Sequence, residues 1–209
     1  MYSFVIPCYN SSESIRHVVE LTMEEMEKMN RREFEFVLVN DYSSSPKTMP
    51  VLKKLAEEYP CVTVLNLAKN AGQHNAIMAG LNYAKGDILI GMDDDMQTHP
   101  SQLPYLFEEL EKGYDIVYGY YPEKKHSAFR NFGSWVNYIS VRILIGKPKE
   151  LKTSSYWVAR KFVRDSVIEY QAPYAYIQGL FLRTTRNISC IPIQHFQREE
   201  GESNYTFKR

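Results

Sequence analysis

The chain has 209 residues, of which 44% are hydrophobic and 24% charged, a length and composition that suit one soluble globular core. Lys and Arg number 25, as do Asp and Glu, so the formal net charge is zero. That balance excludes a global field attracting nucleic acid, leaves any basic patch local, and removes charge repulsion against self-association.

Met1 to Ile6 run straight into a strand, with no leader pattern before it. Tyr2 to Pro7 is a short apolar run ended by proline, the signal of a buried strand. Asn10 is placed to cap the next helix, with Glu13 at its third position and Val18, Val19, Leu21, Met26 and Met29 along it. Phe34 to Asn40 predicts a second apolar strand, Asp41 to Pro46 a polar turn, and Val51 to Tyr59 a helix. Val62 to Leu67 predicts a third strand, Gln73 to Ala84 a helix ended near Gly86, and Asp87 to Met92 a fourth strand. Beyond it come a helix over Pro104 to Lys112 and a short strand over Asp115 to Gly119. Ser127 to Gly146 reads as a long, mostly apolar helix, breakable at Gly133. Ser155 to Ala159 predicts a strand with a helix from Arg160, Ile177 to Arg183 is apolar, and Ile188 to His195 closes as a last strand. No run reaches the roughly 18 apolar residues of a membrane span. No repeat or linker divides the chain, so a single domain over 1–209 is expected. Cys8, Cys61 and Cys190 are odd in number, widely spaced and set in apolar runs, which predicts reduced buried thiols rather than a disulfide frame or a zinc site. The 16 tyrosines suit core and rim packing, or a surface meeting sugar or a membrane interface.

Apolar strands alternating with helices imply an α/β fold with a parallel sheet covered on both faces. Ligands of such sheets bind at the carboxyl ends of the strands. Four polar segments then share one rim: Tyr9-Asn10, Asn40-Asp41, Lys69-Asn70 and Asp93-Asp94-Asp95. In extended chain, residues i and i+2 point to one side. Asp93 and Asp95 would face a common point, Asp94 would turn away, and Gln97 would continue the parity if the extension persists. Two converging carboxylates repel, and one is pushed toward protonation unless a cation intervenes. Hard oxygens of this kind suit Mg2+ or Mn2+, shared with substrate phosphates. The plainer reading is a solvated acidic turn. No Gly-rich, Lys-containing phosphate loop is present and no Gly-x-Gly-x-x-Gly follows the first strand, so nucleoside triphosphatase and dinucleotide oxidoreductase readings have no motif behind them.

Taken together, these segments resemble the family 2 glycosyltransferases. Val5-Ile6-Pro7-Cys8-Tyr9-Asn10, followed by Glu13, is similar to that family's opening. Val37-Leu38-Val39-Asn40-Asp41 with Ser43 to Ser45 is similar to its second strand and nucleotide-binding turn. Asn70-Ala71-Gly72-Gln73, then Ala76 and Ala79-Gly80, resembles its third motif. Met92-Asp93-Asp94-Asp95-Met96-Gln97, with Pro100, resembles its Asp-x-Asp motif in the Asp-x-Asp-x-Gln form. That form is typical of the branch holding dolichol-phosphate mannose synthase and bacterial polyprenyl-phosphate glycosyltransferases. His195, Arg198, Gly201, Ser203 and Tyr205 are similar to the branch's closing pattern.

The resemblance implies a GT-A fold, a Rossmann-like α/β/α sandwich with a mostly parallel sheet. Residues 1–100 would form the half that binds the nucleotide sugar and residues 101–209 the acceptor half. It implies an inverting, metal-dependent hexosyltransferase acting on a nucleotide-diphosphate sugar, with UDP favoured. The acceptor would be a polyprenyl phosphate, undecaprenyl or dolichyl, or alternatively a glycan hydroxyl, in cell-envelope glycan synthesis. A nucleotide-sugar binding module without catalysis is the reading from another class. Carried over by position, Pro7, Tyr9 and Glu13 would shape the nucleotide pocket and Asp41 would hydrogen-bond the base, with Asn70, Gln73 and Asp94 also on the donor side. Asp93 would meet the donor or the metal, Asp95 would ligate Mg2+ or Mn2+, and Gln97 would support it. Arg198 would reach phosphate through its planar fork, with Ser203 beside it. Each has a plainer role: Pro7 as a strand end, Glu13, Asn70 and Gln73 as helix caps, His195 as a structural histidine, Gly201 and Ser203 as a turn.

Several relatives carry an Asp just before the stretch aligned with Trp157-Val158-Ala159-Arg160, where this chain reads Thr153-Ser154-Ser155-Tyr156. A phosphate acceptor, whose second ionisation lies near about 6, needs no strong base; the other reading is altered activity. Ser154 is placed on the acceptor side. The basic and aromatic segment from Lys124 to Lys149 suits a buried helix pair or an interfacial helix on anionic lipid, with Arg130 as the first candidate for acceptor contact. The branch implies a place at the cytoplasmic face of the membrane and is compatible with homo-oligomers.

Overall fold

The first two strands carry apolar residues on both sides, Phe4, Ile6, Phe36 and Leu38 on one and Val5, Val37 and Val39 on the other, and the structure, a computed structural model, buries both. It describes residues 1–122, 146, 148–194 and 196. The elements run β1 (Tyr2–Cys8), α1 (Ile15–Lys28), β2 (Phe34–Asn40), α2 (Thr48–Glu58), β3 (Val62–Asn66), α3 (Gln73–Tyr83) and β4 (Ile88–Gly91). After a 3-10 turn at Pro100–Gln102 come α4 (Leu103–Glu111), β5 (Ile116–Tyr120), β6 (Trp157–Arg160), α5 (Lys161–Ile168), α6 (Ile177–Thr184) and β7 (Ile188–Pro192).

The sheet order is β3-β2-β1-β4-β6-β5-β7. β1 pairs in parallel with β2 and β4, β2 in parallel with β3, and β5 in parallel with β7. β6 alone runs antiparallel, to both β4 and β5. Phe4, Ile6, Cys8, Phe36 and Leu38 pack under Ile15, Val18, Val19, Leu52, Leu55, Leu106 and Phe107 of α1, α2 and α4. Val5, Val37 and Val39 pack on the opposite face under Ala76, Ile77, Leu81, Val163, Val167 and Phe181 of α3, α5 and α6. This period-two division between two helical layers produces the three-layer sandwich and buries both faces of the sheet. Two glycines set the closest approaches. A Cβ at Gly80 would meet Val5 Cγ1 at 2.4 Å, and one at Gly91 would meet the Trp157 ring at 2.2 Å.

The α/β expectation holds, and the bounds of β2 fall where the sequence put them. Other expectations change. Asn10 does not cap α1, which starts at Ile15 behind Ser14; Asn10 sits in left-handed backbone at φ 61°, its side chain spent on the next loop. Asn70 and Gln73 do not cap α3, since Gly72 occupies that place and offers no side chain. Cys8 is a buried thiol, but Cys61 and Cys190 are only half-buried, because they lie at the two outer strands of the sheet; all three are free. The last strand stops at Pro192. The predicted helix over 127–146 falls almost entirely outside the described residues, as do Arg130, His195, Arg198, Gly201, Ser203 and Tyr205. Among the described residues no helix is long and apolar enough to cross a membrane.

Candidate active site at the carboxyl edge of the sheet

β1, β2, β3 and β4 all point the same way, so the loops that follow them meet on one edge. Hydrogen bonds tie these loops together. The Tyr9 N–H donates to Asp94 Oδ2 at 3.2 Å, the Ser11 hydroxyl donates to the same oxygen, and Ser14 Oγ donates to the Asp94 carbonyl at 2.5 Å. Asn10 bridges onward to the loop after β2: its N–H donates to Ser43 Oγ at 3.0 Å and its Oδ1 accepts from the Ser45 N–H at 2.9 Å. Asn40, at the end of β2, accepts from Ser43 Oγ at 2.6 Å and donates to Asn66 Oδ1 at the end of β3 at 2.7 Å.

Asp41 is 4% exposed. Its two carboxylate oxygens accept the Ala71 and Gly72 N–H groups at 2.7 and 2.9 Å, and Asn70 Nδ2 donates to its carbonyl at 3.0 Å. A carboxylate here satisfies backbone donors at the N-terminus of α3 and complements the helix dipole. The expected contact of the Asp41 carboxylate with a nucleobase is a further use of the same oxygens, each of which here accepts one backbone N–H.

The acidic triplet follows β4, and its members face different partners. Asp93 Oδ1 accepts from Gln73 Nε2 at 2.9 Å, and Asp93 Oδ2 accepts from the Ser155 hydroxyl. Asp94 turns toward the loop after β1. Asp95 Oδ1 accepts from the Gln97 N–H at 3.1 Å. The extension does not persist to Gln97, because Met96 takes left-handed backbone at φ 65° and folds the chain back. The Gln97 carbonyl accepts from Tyr121 Oη at 2.6 Å, and Thr98 Oγ1 accepts from the Asp93 N–H at 2.8 Å. Burial, reinforced by the neighbouring charges of Asp95 and Asp94 and offset by the Ser155 and Gln73 hydrogen bonds, pushes the Asp93 carboxyl up to about 7. Burial also raises Asp94, against the bonds from Ser11 and Tyr9. Burial and the charges of Asp93 and Asp95 raise the Tyr121 phenol.

Hard oxygens of this kind suit a divalent cation, and the charges of Asp95 and Asp94 lie near enough to Asp93 to disfavour its ionised form. Among the described residues no set of three or more His, Cys, Asp or Glu side chains closes around a common point. A cation here would take fewer than three such side chains, and ligand oxygens would supply the rest of its coordination.

Ser154 does not face this cluster. Its hydroxyl donates to the Gly119 carbonyl at 2.5 Å and accepts the Tyr156 N–H at 3.0 Å, which leaves Ser155 as the residue reaching Asp93. Sheet register explains why. β4 and β6 pair antiparallel with Gly91 opposite Trp157, and the same register carried two residues on from Gly91 and two back from Trp157 brings Asp93 to Ser155. Pro7 lies at the β1 edge opposite Val39, Glu13 is exposed in the turn before α1, and Asn70 and Gln73 flank Gly72. Ser155, Ser11 and Tyr121 were not picked out by motif, because their partners are fixed by pairings remote in sequence, and Thr98 meets Asp93 only because the chain folds back at Met96.

Residues 3–170 match the family described as Glycosyl transferase family 2. The chain is similar to undecaprenyl-phosphate 4-deoxy-4-formamido-L-arabinose transferase of Edwardsiella ictaluri (strain 93-146), with 32% identity over 97% of this chain and 62% of that protein. It thus spans less than two thirds of that relative's length. Among solved structures it resembles glucosyl-3-phosphoglycerate synthase from Mycobacterium tuberculosis in complex with Mn2+, UDP and phosphoglyceric acid, with TM-score 0.62 and 16% identity over 95% of this chain and 71% of that one. It also resembles a mannosyltransferase from Pyrobaculum calidifontis in complex with GDP-Man and Mn2+, with TM-score 0.56 and 18% identity over 78% and 45% of the two chains. At these identities the two structures speak for the GT-A fold alone. With the family's match extending from β1 to just past α5 and the rim assembled from its motif segments, the chain belongs to glycosyl transferase family 2.

Proposed function

We propose that this protein moves a sugar from a nucleotide-diphosphate donor to a polyprenyl phosphate, with inversion at the anomeric carbon and with Mg2+ or Mn2+ at the carboxylate cluster. The observation that carries the reading is the hydrogen-bonded rim, in which the loops after four parallel strands are tied to one another and Tyr9 after β1 and Gln73 after β3 bond directly to Asp94 and Asp93. The relative from Edwardsiella is named for transfer to undecaprenyl phosphate, which supports that acceptor class. Its named sugar is an arabinose, a five-carbon sugar, so the support reaches glycosyl transfer and a hexosyl donor is not carried forward. Neighbours solved with UDP or GDP-Man and Mn2+ support a nucleotide-diphosphate donor and a metal, with UDP favoured.

In this reading Asp95 and Asp93 hold the cation, and Gln73 and Ser155 orient Asp93. Bound Mg2+ or Mn2+ supplies positive charge where the departing diphosphate gains negative charge. Pro7, Tyr9, Glu13 and Asn70 line the nucleotide side. Asp41 and Asp94 act one step back, fixing the loops after β3 and β1. Arg198 and Ser203 on the closing segment and Arg130 are assigned to phosphate, and Gln97 to the support of Asp95. Ser155 stands near where several relatives have an Asp, and a serine hydroxyl is no general base. A phosphate acceptor removes the need for one, since its oxygen is already ionised near neutral pH. A lipid phosphate acceptor places the protein at a membrane surface, peripherally, on the side where nucleotide sugars are found.

The test is transfer of labelled sugar from UDP-, GDP- and dTDP-sugars to undecaprenyl phosphate in detergent, with Mn2+ or with chelator. The reading predicts a lipid-linked product from one donor, abolished by chelator and by Asp95→Ala. Product formed only on a glycan hydroxyl acceptor would move the assignment to polysaccharide or glycolipid synthesis. Donor binding with neither transfer nor slow hydrolysis would leave a nucleotide-sugar binding module.

A further inference from the structure

Tyr42 stands on the carboxyl edge between two pinned neighbours. Asp41 before it is clamped by the Ala71 and Gly72 N–H groups. Ser43 after it is bonded to Asn40 and to the Asn10 N–H. The Tyr42 backbone is left-handed at φ 51°, and the residue is 57% exposed. Left-handed backbone is disfavoured for a bulky side chain, and residues kept there concentrate at functional sites. Four described residues other than glycine adopt it: Asn10, Asn30, Tyr42 and Met96. Asn10 and Asn30 are of the type that tolerates this backbone, and Asn10 also earns side-chain hydrogen bonds there. Met96 is 1% exposed and packs in the core. Tyr42 has neither reason. Its side chain makes no hydrogen bond or ring contact among the described residues. Fold stability therefore does not account for an aromatic ring at this place, where glycine would be free of strain.

We propose that Tyr42 is a stacking platform for the nucleobase of the donor. The inference rests on the nucleotide-sugar reading above and adds a residue to that site. Its loop is bonded on one side to the turn after β1 and on the other to the N-terminus of α3, the edge where ligands of parallel α/β sheets bind. An aromatic ring on a loop held at both ends loses little freedom when a base stacks on it. Stacking reads the π-face shared by all bases, so Tyr42 contributes affinity for uridine and guanosine nucleotides alike and leaves discrimination to polar groups.

The test compares wild type, Tyr42→Phe and Tyr42→Gly by titration with UDP, GDP and inorganic pyrophosphate, all with Mn2+, alongside thermal unfolding of the free proteins. The expected result for Tyr42→Gly is about tenfold weaker binding of both nucleotides, in the range that removal of one base–aromatic stack gives. Pyrophosphate, which has no base, binds that variant as it binds wild type. Its Tm stays at or above that of wild type, because released strain offsets the added chain entropy of glycine. Tyr42→Phe keeps the ring and matches wild type throughout. Undiminished nucleotide binding by Tyr42→Gly overturns the platform and leaves the donor reading standing. An equal loss for pyrophosphate also overturns it, by showing that the loop itself has shifted. A wild-type protein that binds no nucleotide removes both readings together.

Discussion

Asp41→Asn separates a carboxylate that builds the site from one that only touches ligand. Asp41 is buried and accepts two backbone N–H groups, from Ala71 at 2.7 Å and Gly72 at 2.9 Å. An amide keeps one acceptor oxygen and turns an NH2 toward the other N–H. The protein loses one charge-assisted hydrogen bond, weakens the second, and leaves a buried donor facing a donor. Hydrogen bonds to charged groups contribute about 1.5–3 kcal/mol and an unsatisfied buried group costs about 1–3 kcal/mol, so the variant should lose roughly 2–4 kcal/mol. In a domain of this size each kcal/mol moves Tm by about 2–4 °C, which gives a fall of roughly 5–15 °C. Thermal unfolding of wild type and variant without ligand reads this directly, and titration with UDP and Mn2+ in parallel reads the site. A variant whose Tm lies within about 1 °C of wild type, as for an ordinary surface change, while nucleotide binding is lost, would refute the reasoning and return Asp41 to direct contact with the base.

Substitutions at four further positions probe other parts of the account. The Asp93 carboxyl is pushed up to about 7, above its unfolded value of about 4, so its contribution to stability is complete at low pH and lost as pH rises through about 7. Asp93→Asn should therefore flatten the fall in metal-free stability between about pH 4 and 7 and unfold at a higher temperature than wild type at pH 8, while losing the stabilisation given by Mn2+ with nucleotide; a lower metal-free Tm at pH 8 contradicts this. Ser155→Ala should raise the Mn2+ concentration needed for half-maximal UDP binding several-fold, with Ser155→Thr restoring it, whereas Ser154→Ala should change mainly Tm, by about 2–6 °C, through loss of about 1–1.5 kcal/mol of hydrogen bonding to Gly119 and Tyr156. Gly91→Ala would drive a Cβ to 2.2 Å from the Trp157 ring and should cost about 1–3 kcal/mol, seen as a lower urea midpoint at unchanged m-value.

The first half of the fold was legible because its strands are continuous apolar runs between amphipathic helices. Phe34 to Asn40 carries its own boundaries, a basic turn before and a polar turn after. From that alternation the common rim of Tyr9, Asp41, Asn70 and Asp93 followed by rule alone. Contacts made by register were not legible. Ser155 meets Asp93 only because β6 turns antiparallel to β4, a direction that no local pattern encodes. The same holds for Ser154, which looks equivalent to Ser155 in sequence and faces backbone instead. Asn10 looked like a helix cap because its residue type fits; left-handed backbone and four serine-loop hydrogen bonds claimed it first. Asp94, expected to turn away from Asp93 and Asp95 and placed on the donor side, holds the loop after β1 in place.

Crystals grown with Mn2+ and UDP offer the most direct test, read by anomalous scattering at the manganese edge. The account predicts one strong peak between Asp95 and Asp93, bridged to the nucleotide's diphosphate, with Gln73 and Ser155 still on Asp93. A nucleotide bound in the cleft with manganese absent from those carboxylates, or seated on other residues, would contradict it.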